Sequence, residues 1–105
     1  SVLLASPALA TQCAVGKVTK IHVGYEGGDG MNNIRFWMRT TESNDYFNAN
    51  TDIYQQLDYK NNANDQNGNL YYNMLMVSLL TGRVIETYDY RGRRCDDVSS
   101  LLIRE

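Results

Sequence analysis

Few side chains in this sequence could carry acid–base or nucleophilic chemistry. His22 is the one histidine among 105 residues. A histidine-based triad would have to be built wholly around it, and no Gly-x-Ser-x-Gly elbow is present to offer a serine. Because His22 alternates with apolar neighbours, it is expected on the outer face of a strand, solvated or packed rather than catalytic. Asp96 and Asp97 are adjacent, so on a strand or turn their carboxylates diverge and cannot work as a pair. Arg91, Arg93 and Arg94 form a local basic spot flanked by Asp89, Asp96 and Asp97, which reads as a solvated, internally balanced turn. Asp65-x-Asn67-x-Asn69 opens like a calcium loop, but the EF-hand pattern wants glycine at its sixth position and glutamate at its twelfth. Leu70 and Met76 stand there instead. The sequence therefore assigns no catalytic residue, no metal ligands and no cofactor, and the expected activity is non-enzymatic.

Binding is better represented. The chain has eight tyrosines and one tryptophan, and amphipathic rings suit both protein interfaces and sugar faces. In the segment 32–40, Ile34, Phe36 and Met38 share one face of a strand, while Arg35, Trp37 and Arg39 share the other. An indole on an outer face is expensive unless something covers it, so Arg35, Trp37 and Arg39 are the expected ligand-binding residues.

Compartment is legible at the start of the chain. Residues 1–10 (Ser-Val-Leu-Leu-Ala-Ser-Pro-Ala-Leu-Ala) read as the remnant of a secretory signal peptide, with small residues at Ala8 and Ala10 before a cleavage site. The mature protein would begin at Thr11 and work in the periplasm or outside the cell. Cys13 and Cys95 lie near the two ends of residues 11–105. In an oxidising compartment an isolated pair of this kind is expected to form a disulfide. No apolar run approaches the roughly 18 residues of a membrane span. A pI near 5.3 argues against a general nucleic-acid binder.

The elements that must position these residues follow from hydrophobic period. Strand one runs through Thr19, Ile21 and Val23, with Val15 in phase and Val18 out of phase, which leaves room for a bulge near Gly16. A glycine-rich loop at 26–30 leads to strand two. Tyr46-Phe47 and Ile53 to Tyr59 read as short strands, and Lys60 to Asn69 as an exposed loop. Asn69 would cap a helix from Leu70 to Thr81. That helix has one stripe of Tyr71, Met74, Leu75 and Ser78 and another of Tyr72, Met76, Leu79 and Leu80. Apolar on nearly all sides, it is expected to be buried on more than one side, either sunk deep in its own core or with Tyr72, Met76 and Leu79 meeting another subunit. Arg83 to Tyr90 and Val98 to Ile103 complete a β-β-β-α-β-β order.

That order matches a small five-stranded OB-like Greek-key barrel, mainly β, spanning residues 11–105 as a single domain. Cys13-x-x-Gly16-Lys17-Val18-x-x-Ile21-x-Val23, Tyr72-x-Met74-Leu75-x-x-x-Leu79-x-Thr81-Gly82-Arg83-Val84 and Cys95-Asp96 also resemble small exported bacterial proteins. That family is similar in fold to the binding subunits of subtilase- and pertussis-type toxins. The resemblance implies a homo-oligomer, a pentameric ring with the helix facing its centre, that recognises a glycan or a protein partner. No glycan-contact motif of those subunits falls on a numbered residue here. Two readings stay open: an oligomeric binding subunit, and a stand-alone exported domain that binds or inhibits a protein as monomer or dimer.

Overall fold

The structure is a computed structural model that describes residues 11–24, 33–58, 66–92 and 94–105. The expected signal segment, the glycine-rich loop at 26–30 and positions 60–65 of the expected exposed loop lie outside the described residues, as do Tyr59 and Arg93. The described residues form five strands, β1 (Thr11–Gly24), β2 (Asn33–Thr40), β3 (Asp52–Gln56), β4 (Val84–Asp89) and β5 (Ser100–Arg104), and one helix, α1 (Gln66–Thr81). The strands form one sheet in the order β3-β2-β1-β4-β5, and every neighbouring pair is antiparallel. The two edge segments touch at one place. Leu57 and Val98 form an isolated parallel bridge, in which Asp58 N–H donates to Val98 O and Val98 N–H to Gln56 O.

β1 is long because it serves two neighbours. Thr11 to Gly16 pair with β4, and Gly16 to Gly24 pair with β2. The expected bulge exists as two register shifts that flank Gly16, one between Gln12 and Ala14 and one between Val18 and Lys20. Each shift reverses which residues face inward. Ala14 and Val18 therefore join the core, Ile21 still packs against it, and Thr19 is exposed, contrary to its expected place beside Ile21. At the second shift the Val18 N–H donates to Ser78 Oγ of α1 (3.0 Å), and that hydroxyl donates onward to Arg83 O (2.7 Å). One side chain thus satisfies a strand donor and a carbonyl just past the helix end.

The core comprises Ala14, Val18, Ile34, Phe36, Met38, Ile53, Leu57, Leu75, Ile85, Val98 and Leu101. Ile34, Phe36 and Met38 occupy it as their alternation predicts. Gln55 and Thr87 are buried too, joined by a Thr87 Oγ1–H to Gln55 Oε1 bond of 2.6 Å. Tyr46-Phe47 is not a strand. Asn44 Oδ1 accepts from the N–H groups of Tyr46 and Phe47, while its amide donates to Cys13 O, so one asparagine folds the loop and ties it to β1.

The helix departs from expectation at its start and in its burial. It begins at Gln66, so Asn69 is an internal residue and not the cap, and 66–69 are helical instead of loop. Gly68 is buried there, and packing of this kind overrides a weak local propensity. Nor is α1 buried all round. Leu75 and Ser78 are buried, and Tyr71, Tyr72 and Met74 pack against the core or its rim, but Leu70, Val77 and Leu80 remain 57%, 46% and 73% exposed. A domain this small does not have enough core to cover every side of an apolar helix.

The Cys13–Cys95 disulfide is formed, across 82 residues of sequence and with Cα atoms 5.6 Å apart. It ties β1 to the connection before β5.

Candidate functional site

The outer face of β1, β2 and β3 gathers the polar and aromatic side chains that the core alternation rejects. Cross-strand register sets Lys20 beside Trp37, Trp37 beside Tyr54, His22 beside Arg35, Arg35 beside Gln56 and Arg39 beside Asp52. Trp37 and Tyr54 have ring centroids 5.2 Å apart with planes tilted by 57°, a geometry that aromatic quadrupoles favour. The Lys20 ammonium sits 4.1 Å from the centre of the indole ring. Tyr54 is 46% exposed and Trp37 half-buried. Arg39 bonds Asp52 at 3.3 Å, a solvated pair that fixes little energy but keeps the guanidinium at the rim of the aromatic pair.

The three expected ligand residues therefore have different environments. Trp37 and Arg39 lie on the outer face as expected. Arg35 is only 4% exposed, which corrects its expected accessibility. Its Nη1 donates to Gly24 O (3.3 Å), because a long side chain on this face turns back along the sheet to the end of β1. Arg35 supports the face and does not offer it to a ligand. His22 is exposed on the same face. Tyr54 and Lys20 belong to the site although sequence reasoning did not select them. Alternation placed Tyr54 opposite Ile53 and Gln55, but only register shows that it meets Trp37. Of the expected interface residues, Tyr72 and Met76 are half-buried and Leu79 is exposed.

The charged turn is not the solvated one expected. Asp58 and Asp89 are 1% exposed and Asp97 is 9% exposed. Asp89 accepts from Arg91 N–H (2.8 Å) and Cys95 N–H (3.0 Å), and Arg91 Nε donates to Asp58 (2.8 Å). Backbone and guanidinium donors compensate the burial of Asp89 and Asp58. The cluster anchors the connection that carries Cys95. Tyr71 lies near it, its phenol pushed above the ordinary tyrosine value by burial and then by the Asp58 charge. Among the described residues no group of three or more His, Cys, Asp or Glu is placed to hold a metal ion, and no helix is long and apolar enough to cross a membrane.

Beyond the aromatic pair, the outer face of β4 carries a second network. The Glu86 carboxylate accepts from the Tyr88 hydroxyl, from Arg104 Nε and from Gln12 Nε2 (3.2 Å for the last), and Arg104 also bonds Glu42 at 3.2 Å. The Tyr88 hydrogen bond first, and Arg104 second, hold the Glu86 carboxyl below its ordinary value of 4.5. A depressed carboxylate contributes stability that is full above the unfolded value and is lost as pH falls through the folded one. Glu86→Gln is expected to lower the melting temperature at pH 7 by on the order of 5 °C, the scale of one charge-assisted hydrogen bond in a domain this size. The wild-type advantage should shrink as pH falls below 4.5, measured by thermal melts across pH 2 to 7. A constant gap between the two proteins over that range would contradict the assignment.

No family model, curated protein or solved structure matches this chain.

Proposed function

We propose that this chain is an exported, non-enzymatic binding module, an OB-like barrel that presents the Trp37–Tyr54 face to a glycan and self-associates through its helix. The parallel Leu57–Val98 bridge supports the barrel reading, since it brings the two edges of the sheet together. The disulfide supports an oxidising compartment. The observation that carries the ligand reading is the tilted Trp37–Tyr54 pair, with a displaceable ammonium over the indole. An exposed cation–π contact contributes only about 0.5–1 kcal/mol, so a sugar ring can take the place of Lys20 at little cost. The rim of Arg39, Lys20 and His22 supplies donors for hydroxyls around that platform.

Trp37 is the single tryptophan, so intrinsic fluorescence reports on this face alone. Titration with a panel of oligosaccharides is expected to change its intensity or its emission maximum for at least one member. Trp37→Ala should then weaken that glycan about tenfold or more, read by calorimetry, as expected when an aromatic anchor is lost. Tryptophan emission indifferent to every glycan of a broad array would remove the glycan reading. The second reading, a protein ligand, draws on the Trp37–Arg39–Tyr54 grouping, since these are the residue types that dominate protein hot spots. It predicts a partner captured by the wild type and lost with Trp37→Ala.

A further inference from the structure

The exposed side of α1 has a spacing of its own. Leu70, Asn73, Val77 and Leu80 are all exposed, and they recur at intervals of 3, 4 and 3, which are the a and d positions of a heptad seam. Only Leu80 comes from the stripe expected to hold the interface, and none is among the expected interface residues Tyr72, Met76 and Leu79, of which Tyr72 and Met76 are half-buried. The interval pattern reads the same in both directions. Centred on Leu75, it places Leu70 and Leu80 at equal distances on either side, with Asn73 and Val77 equally placed between them. A seam of this kind is self-complementary about a two-fold axis perpendicular to the helix.

The electrostatics of the helix point the same way. Gln66–Thr81 contains no charged side chain, with none acidic in the first turn and none basic in the last. The partial positive charge at its N-terminus and the partial negative charge at its C-terminus are therefore not offset by the usual residues within the helix. An antiparallel copy sets each end against its opposite and introduces no like charge. A helix that lies on a membrane surface instead carries Lys and Arg along its polar face, and this one has neither.

We infer that a second copy of this chain covers α1, in a two-fold antiparallel helix pair that packs Leu70 of each subunit against Leu80 of the other. This rests on the self-association part of the proposed function and specifies its geometry. The seam spans only about three turns of helix. The contact reaches the shallow groove of about 320 Å3 that Val77 lines together with Arg83, Ile103, Arg104 and Glu105. An interface of this extent is at the small end for specific pairs, so the dimer is expected to dissociate in the micromolar range.

Light scattering coupled to size exclusion, on exported protein from about 5 to 500 µM, is expected to show twice the chain mass at the upper end. Val77→Glu should shift it to the monomer with an unchanged melting temperature, since Val77 is already half exposed in one subunit. Cysteine variants fix the register. Leu70→Cys protein mixed with Leu80→Cys protein should cross-link through a short bis-maleimide, and neither variant alone should do so. A wild-type monomer at every concentration overturns both the pair and self-association. A five-fold mass, or a dimer indifferent to Val77→Glu, overturns the pair and leaves self-association standing. Monomers that sediment with phosphatidylcholine–phosphatidylglycerol vesicles, and lose this with Val77→Glu, would replace the pair by a membrane surface. The Trp37 titration is independent of all these outcomes, because that side chain lies on the sheet.

Discussion

Serine in place of Cys95 is expected to lower the melting temperature of this protein by on the order of 20 °C. The bond closes a loop of 82 residues, for which chain-entropy arguments give about 4–5 kcal/mol, and measured losses in small domains run at about 2–5 kcal/mol. One kcal/mol moves the midpoint of a domain this size by roughly 4–8 °C. Strain on the native side offsets part of this. Arg94 and Cys95 both hold positive φ, at 55° and 65°, where a residue with a Cβ is strained by on the order of 1 kcal/mol. The bond to Cys13, the Arg91 and Cys95 N–H groups donated to buried Asp89 and the Arg91–Asp58 pair all hold this turn in place. Without the disulfide, the hydrogen bonds must hold a conformation the backbone disfavours. Melts followed by circular dichroism, with the wild type under reductant as a second measurement, should agree on the shift. A loss under 5 °C would mean that the loop is already closed by other contacts in the unfolded ensemble.

Gly16→Ala should destabilise by about 3 kcal/mol or more, roughly 15 °C in melting temperature. A Cβ at Gly16 would stand 2.3 Å from Arg39 O, 2.8 Å from Thr40 Cα and 2.9 Å from Arg39 C. All three are backbone atoms of β2, so no rotamer change relieves the contact and the strands must part. Gly16 is where β1 pairs with Thr40 on one side and Ile85 on the other. Parting the strands there disturbs both ladders and the neighbouring Thr41 N–H to Val15 O bond of 2.9 Å. The entropy that alanine removes from the unfolded chain returns only about 0.4–1 kcal/mol. Gly82 and Gly92 provide the contrast. Both have positive φ, at 76° and 72°, and nothing within 4 Å of the added carbon. Alanine there meets backbone strain alone, about 1 kcal/mol. Denaturant titration of the three variants separates the mechanisms, and a Gly16→Ala protein no weaker than Gly82→Ala would refute the close-approach argument.

The aromatic face also shows where sequence reasoning stops. Alternation by itself assigned Ile34, Phe36 and Met38 to the core and Trp37 and Arg39 to the outside, because the two-residue period is a property of one strand's backbone. The existence of a helix ending at Thr81 before Gly82, and a mainly β order of elements, rest on the same local regularities. So does the pairing of Cys13 with Cys95, since two cysteines allow one partner each. Which strand lies beside which, and in what register, is not local. Tyr54 meets Trp37 only because β3 pairs with β2 at that offset, and Lys20 reaches the indole only because the shift after Val18 resets the phase of β1. Coverage is equally non-local. Arg35 follows the outward alternation and is nevertheless buried. Asp89 and Asp97, which read as solvated turn charges, are buried; Asp89 is compensated by the Arg91 and Cys95 N–H groups, while Arg91 reaches across to buried Asp58 in another segment. Short-range sterics and periodicity are enough to set the two faces of β2, the end of α1 at Thr81 and the cysteine partners. Register, the phase of β1 beyond its shifts and which faces stay open depend instead on packing between segments far apart in the chain.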